Sequence, residues 1–161
     1  MTLAERGVYR PLWSSNILDE LRRVLIEAGI EEAAVDHRIA SMGDAFPGAK
    51  VSGYETLIQE MTCEQNDRHV LAAAVKGGAS SLVTFNLKHF PPHASTRSGL
   101  TTVHPDDFLL DQLDLYPDTA TDTITQVPAM YEHPPVTTNE FIDLLSRSGV
   151  PRFVATIKTL I

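Results

Sequence analysis

The sequence predicts an α/β fold, with helices packed around a short parallel sheet and a helical C-terminal extension following it. Three observations lead there. In the first two thirds of the chain, segments of helical period alternate with brief apolar runs bounded by turn residues. From Pro105 onward the pattern is helical throughout. The composition is that of an ordinary folded domain: 161 residues, 43% hydrophobic and 21% charged, enough to bury a real core and far from the makeup of a disordered chain.

Tyr9 to Trp13 is read as a short strand. The first strong helix runs from Ser15 to Ala28, with Ser14 or Ser15 as N-cap and Gly29 as stop. Its apolar stripe is Ile17, Leu18, Leu21, Val24, Leu25 and Ala28. A second helix is expected from Glu31 to Ala45, ending before Pro47-Gly48, and Val51 to Met61 fits neither helix nor strand cleanly. An Ala-rich helix follows from Asp67 to Lys76, closed by Gly77-Gly78. The run Ser81-Leu82-Val83-Thr84-Phe85 reads as a buried strand, and Leu100 to Val103 as another. Pro105 sits at the first position of a helix with Asp106 and Asp107 in its first turn, and further helices are expected near 119–131, 137–148 and 151–160. Thr137-Thr138-Asn139-Glu140 is a capping box.

Charge and cysteine content narrow the function classes. A net charge of −8 argues against binding nucleic acid by bulk electrostatics. The excess is uneven: residues 1–103 carry 12 acidic and 10 basic side chains, residues 104–161 carry 9 and 3, so a local basic surface is compatible with the first part. The single cysteine, Cys63, excludes an internal disulfide and a Cys-rich zinc site, which suits a reducing, cytoplasmic setting. No apolar run approaches the ~20 residues of a membrane span, and the start MTLAERG has no signal-peptide character. The six histidines show no HExxH spacing, and GxSxG, P-loop and GxGxxG motifs are absent.

Three positions could carry chemistry. Glu20 lies at the edge of the first helix's apolar stripe, where it is either a functional carboxylate or an ordinary boundary acid paired with Arg23. Asp67 precedes Val70 and Leu71 by three and four residues, which puts it on the buried side of its helix and at the positive end of the helix dipole. It is either a cap or part of an oxygen-rich corner with Glu64, Gln65 and Asn66. Asn86 and Thr84 stand at the carboxyl end of the apolar strand, where ligands gather in open α/β sheets; a plain turn leading into Leu87-Lys88-His89-Phe90-Pro91 is the alternative for Asn86. A receiver-like domain with Asp67 as phosphoacceptor is disfavoured, because its acid would end a strand and Asp67 opens a helix.

The segments Asp67-Arg68-His69-Val70-Leu71-Ala72-Ala73-Ala74, Val83-Thr84-Phe85-Asn86-Leu87-Lys88-His89-Phe90-Pro91 and His104-Pro105-Asp106-Asp107-Phe108-Leu109 occur in this order. With Pro11-Leu12-Trp13-Ser14 and Ile17-Leu18-Asp19-Glu20-Leu21 upstream, the chain resembles PIN-domain proteins of the VapC-like toxin type. The resemblance extends over nearly the whole chain, to Pro134-Pro135 and Gly149-Val150-Pro151-Arg152-Phe153. It implies a PIN-like three-layer sandwich over residues 1–103, with residues 104–161 as a helical extension packed on it. It also implies a Mg²⁺- or Mn²⁺-dependent endoribonuclease, the toxin half of a toxin–antitoxin pair, with RNA as substrate, an antitoxin protein as partner, a homodimer as a common assembly and a cytoplasmic location.

Carried over by motif, the acid of the first helix is Glu20, the acid opening the Ala-rich helix is Asp67, and the polar residue ending the strand is Asn86. Glu20, Asp67 and Glu64 are the metal ligands that the resemblance implies, and the acid that relatives carry before Phe-Pro is here His89. Thr84, Arg68 and Lys88 are expected to hold the RNA backbone, with Arg22 and Arg23 as weaker candidates. The family's sheet opens with a strand ending in an acid, ahead of the Pro-Leu-Trp-Ser segment, and this sequence has none. An internal start or a genuine truncation would both explain it. The chain is then expected to be inactive or poorly stable unless that strand is supplied, and a non-catalytic PIN-like module binding a protein or RNA is the alternative function.

Overall fold

The computed structural model of the chain describes residues 2–91, 99–131 and 134–161; His93 and His133, two of the six histidines, lie outside them. The elements are α1 (Thr2–Glu5), α2 (Ser15–Glu27), α3 (Glu32–Ala45), α4 (Arg68–Lys76), β1 (Ser81–Val83), β2 (Thr101–Val103), α5 (Pro105–Leu115), α6 (Pro117–Gln126), α7 (Thr138–Arg147) and α8 (Pro151–Ile157). The fold is mixed α/β with a helical C-terminal region, as the sequence predicts. No described helix is long and apolar enough to cross a membrane.

β1 and β2 form a two-stranded sheet. The Thr101 N–H donates to the Ser80 carbonyl and the Thr84 N–H to the Val103 carbonyl, both at 3.0 Å, so the pairing advances in the same direction along both strands and is parallel. β1 is not the buried strand its apolar run suggests. Ser81 and Val83 are exposed and Phe85 beyond them is 56% exposed; Leu82 alone turns toward the core. An apolar run marks burial on both faces only when layers cover both, and here one face of β1 is covered. The strand expected at Tyr9 to Trp13 is also absent. Trp13 forms one isolated parallel bridge with Lys50 and otherwise buries its indole edge-to-face against Phe46, at a centroid distance of 6.0 Å. The stretch Val51 to Met61, which the sequence assigns to neither helix nor strand, contains a 3₁₀ helix, Glu55–Glu60.

The chain divides into two compact units. The first comprises Arg10–Leu82 and Asn86–Thr102. Its centre is α4, where three successive residues, Leu71, Ala72 and Ala73, are almost wholly buried. Ala72 and Ala73 pack with Val51 and Tyr54, while Leu71 packs with Phe90 and Leu100. Small side chains let the helix sit close to its neighbours, and the approach is closest at Gly77, where a Cβ would stand 2.8 Å from Val51 Cγ2. α2 is capped by Ser14, whose Oγ accepts from the Ile17 N–H at 3.3 Å, and it stops at Gly29, whose φ of +87° suits glycine. Its apolar stripe is only half covered: no α2 residue is fully buried and Val24 is 54% exposed. Arg22 leaves α2 to pair with Asp36 and Glu32 of α3, Asp36 at 2.8 Å.

The second unit comprises Met1–Tyr9, Val83–Phe85 and Val103–Ile161. Leu113, Ala120, Ile124, Ile142, Val150, Phe153, Val154 and Ile157 form its core; each large member contributes about 1.5–3 kcal/mol on burial. The capping box at Thr137 and Glu140 is present, and the Thr137 backbone N–H and then its hydroxyl, both donating to the Glu140 carboxylate, hold that carboxyl below its usual range. Asp106 does more than decorate the first turn of α5. It is 4% exposed, and its two carboxylate oxygens accept from the Arg152 and Phe153 N–H groups at 3.0 and 2.8 Å, capping α8 from 46 and 47 residues away. Asp106→Ala leaves these donors without their acceptor and is expected to lower the unfolding free energy by about 2–3 kcal/mol. Asp106→Asn, which keeps an acceptor oxygen, should cost less. Urea denaturation of the two variants measures the difference; equal effects would exclude the capping role.

Candidate metal centre

The site lies in the unit that contains α4. The chain turns through a 3₁₀ segment, Gln65–Asp67, directly into α4, with the Asp67 N–H donating to the Glu64 carbonyl at 3.0 Å. A second 3₁₀ turn, Leu87–His89, follows β1, and Phe90 after it is 4% exposed in the core with Leu71. The Glu64 N–H donates to the His89 carbonyl at 3.3 Å. That backbone bond and the buried Phe90 bring the two turns side by side.

Three side chains converge as a result. Nδ1 of His89 lies 2.7 Å from Asp67 Oδ2, and its Nε2 lies 3.4 Å from Glu64 Oε2. One donor atom from each of Glu64, Asp67 and His89 falls within 4.8 Å of the others. Asp67 makes no side-chain cap to its own helix; its carboxylate, 28% exposed, is turned to the imidazole instead. Two carboxylates this near each other repel unless a positive or hydrogen-bonding group lies between them. The donor set suits a divalent cation: carboxylate oxygens for a hard ion and one imidazole nitrogen.

Glu20 is not part of that trio. Its Oε1 is 3.0 Å from His69 Nε2, so its partner is on α4, 49 residues away, rather than Arg23 one turn along. His69 is largely buried, and its Nδ1 is buried without a hydrogen-bond partner among the described residues. Because a carboxylate only accepts, the proton belongs on Nε2, an assignment made from the bonding pattern. Asn86 opens the 3₁₀ turn and accepts the His89 N–H on its carbonyl at 3.0 Å. Arg68 donates from Nε to the Cys63 carbonyl at 3.5 Å, and Lys88 is exposed. Arg22 is engaged by Asp36 and Glu32, which raise its pKa, so it is removed from the candidates for phosphate contact. Thr84 belongs to the other compact unit.

The two histidines are what the sequence did not supply. Ligands of the HExxH kind share one helix face, whereas His69 and His89 meet carboxylates 49 and 22 residues away. The one signal available was that His89 occupies the place of an acid in the motif before Phe-Pro.

Comparison with known proteins decides the family. The profile described as PIN domain matches residues 1–88, more than half of the chain. The chain belongs to the PIN-domain family. A second profile, described as the VapC50 C-terminal domain, matches residues 105–159. A Mycobacterium tuberculosis protein named "Putative ribonuclease VapC50" is 45% identical over 108 residues, which cover 67% of this chain and 63% of that protein. The match thus spans less than two thirds of that relative's length. No solved structure matches. In PIN-domain terms, the trio joins the acid that opens α4 to the residue just before Phe-Pro.

Cys63 borders the site. Burial foremost, and then the negative charge of Asp67, push its thiol pKa up, so the thiolate is scarce at neutral pH. Asp67→Asn removes the second cause, which lowers the pKa and raises the thiolate fraction. Alkylation of Cys63 at pH 8 should therefore be faster in Asp67→Asn than in the parent chain; an unchanged rate would show that the carboxylate does not act on the thiol.

Proposed function

We propose that this chain is the catalytic portion of a metal-dependent endoribonuclease that hydrolyses RNA phosphodiester bonds, and that it acts as the toxin of a toxin–antitoxin pair. The observation that supports it most is the convergence of Glu64, Asp67 and His89 from two turns distant in sequence, in a chain of the PIN-domain family. The name of the Mycobacterium tuberculosis relative, "Putative ribonuclease VapC50", agrees with it.

In this reading Glu64 and Asp67 hold a Mg²⁺ or Mn²⁺ ion, with Glu20 completing the acidic site and Asn86 lining it. The ion would supply activation of a water and charge stabilisation at the phosphate. The chain's own contribution is placement. Asp67 and His89 fix each other's orientation through their 2.7 Å contact, and His69 fixes that of Glu20 through its Nε2. Arg68 and Lys88, and Thr84 at the end of β1, are the groups we assign to the RNA backbone. Residues 104–161 form a helical extension to the catalytic domain of residues 1–103, and the partners are RNA, an antitoxin protein and a second copy of the chain, in the cytoplasm.

The test is to incubate the full chain with single-stranded RNA and Mg²⁺ or Mn²⁺, with EDTA as control. Cleavage is expected with either ion and not with EDTA. Asp67→Asn combined with Glu20→Gln should reduce it by at least about a hundredfold, the scale of losing a positioned catalytic group. Cleavage that persists in EDTA or in the double variant overturns the metal-site assignment. A measurable RNA complex with no cleavage in either ion points instead to a non-catalytic binding module.

A further inference from the structure

We propose that His89 is itself an ion ligand, through Nε2, and that this chain therefore selects Mn²⁺ over Mg²⁺. The inference rests on the metal-dependent reading above and deepens it. His89 stands 2.7 Å from Asp67 through one ring nitrogen and 3.4 Å from Glu64 through the other. A carboxylate can only accept, so the short contact to Asp67 Oδ2 places the proton on Nδ1. In the tautomer with that proton the lone pair is on Nε2, the nitrogen that faces Glu64.

That arrangement is the one found around metal-bound histidines, in which a carboxylate takes the far N–H, fixes the tautomer and makes the near nitrogen a better donor. Asp67 keeps its second oxygen, Oδ1, for the ion. The separation of Nε2 from Glu64 Oε2, 3.4 Å, is close to the roughly 3 Å between neighbouring corners of an octahedron with bonds of about 2.1 Å. Nor is the ring's position a matter of side-chain choice alone. The Glu64 N–H to His89 carbonyl bond and the burial of Phe90 hold the backbone on both sides of the contact.

Ion preference follows from the donor set. Mg²⁺ is hard, gives up water reluctantly and favours oxygen ligands, whereas an imidazole suits first-row transition ions. Replacing a carboxylate with an imidazole at this corner moves the balance toward Mn²⁺.

The experiment uses the full chain without RNA. Mn²⁺ and Mg²⁺ are titrated separately and in competition, following the electron paramagnetic resonance signal of free Mn²⁺. The electron spin-echo spectrum of the Mn²⁺-loaded chain then reports nitrogen coupled to the metal. The parent chain should show imidazole nitrogen coupling. His89→Asp should lose it and lower the Mn²⁺-to-Mg²⁺ affinity ratio by about tenfold. If His89→Asp does not fold, selective broadening of the His89 ring signals by Mn²⁺ in the parent chain answers the same question. Binding of Mn²⁺ without nitrogen coupling, or with the same ratio in His89→Asp, overturns the inference and leaves a carboxylate metal site standing. Retention of neither ion overturns both.

Discussion

The contact between Asp67 and His89 is the constraint on which the candidate site depends. It ties the start of α4 to the turn that follows β1, two places separated by 22 residues. Without a donor between them, the carboxylates of Glu64 and Asp67 would be driven apart by like charge. The imidazole spans the gap, hydrogen-bonded to Asp67 through Nδ1 and 3.4 Å from Glu64 Oε2 through Nε2. The cost of holding it there is small, because the backbone bond from Glu64 to His89 and the anchoring of Phe90 already fix the approach.

What places those groups is the packing of α4. A run of Leu71, Ala72 and Ala73 faces two clusters at once, which is possible because the alanines leave room for Val51 and Tyr54 on one side while Leu71 reaches Phe90 on the other. The helix start, and Asp67 with it, is thereby set against the turn containing His89. His69, the second residue of the same helix, extends this order to α2 by holding Glu20. Asp67 and Glu20 are thus each oriented by an imidazole rather than by another acid.

The C-terminal unit follows a similar logic with a different polar group. Its core is apolar and rests on the usual helix stripes, but α8 has no side-chain cap of its own. The buried carboxylate of Asp106 caps it from α5. A buried acid is tolerated there because both its oxygens accept backbone N–H groups, which leaves little of its charge uncompensated.

The helices are legible in the sequence, since N-caps, glycine stops and 3.6-residue stripes are local signals: Ser14 and Gly29 bound α2, and the box at Thr137 and Glu140 opens α7. It also carried the family, because that rests on motifs read in order along the chain. Its apolar run at Ser81 to Phe85 marked a strand correctly but not its exposure, which depends on how many layers cover the sheet. Which acids meet is a matter of long-range packing. Glu64 and Asp67 join His89 and Glu20 joins His69, while Asp106 turns from its own helix to another; these pairings span 22 to 49 residues. Hydrogen bonds of that reach have no period and leave no mark in the sequence, because they are set by where packed elements bring their ends.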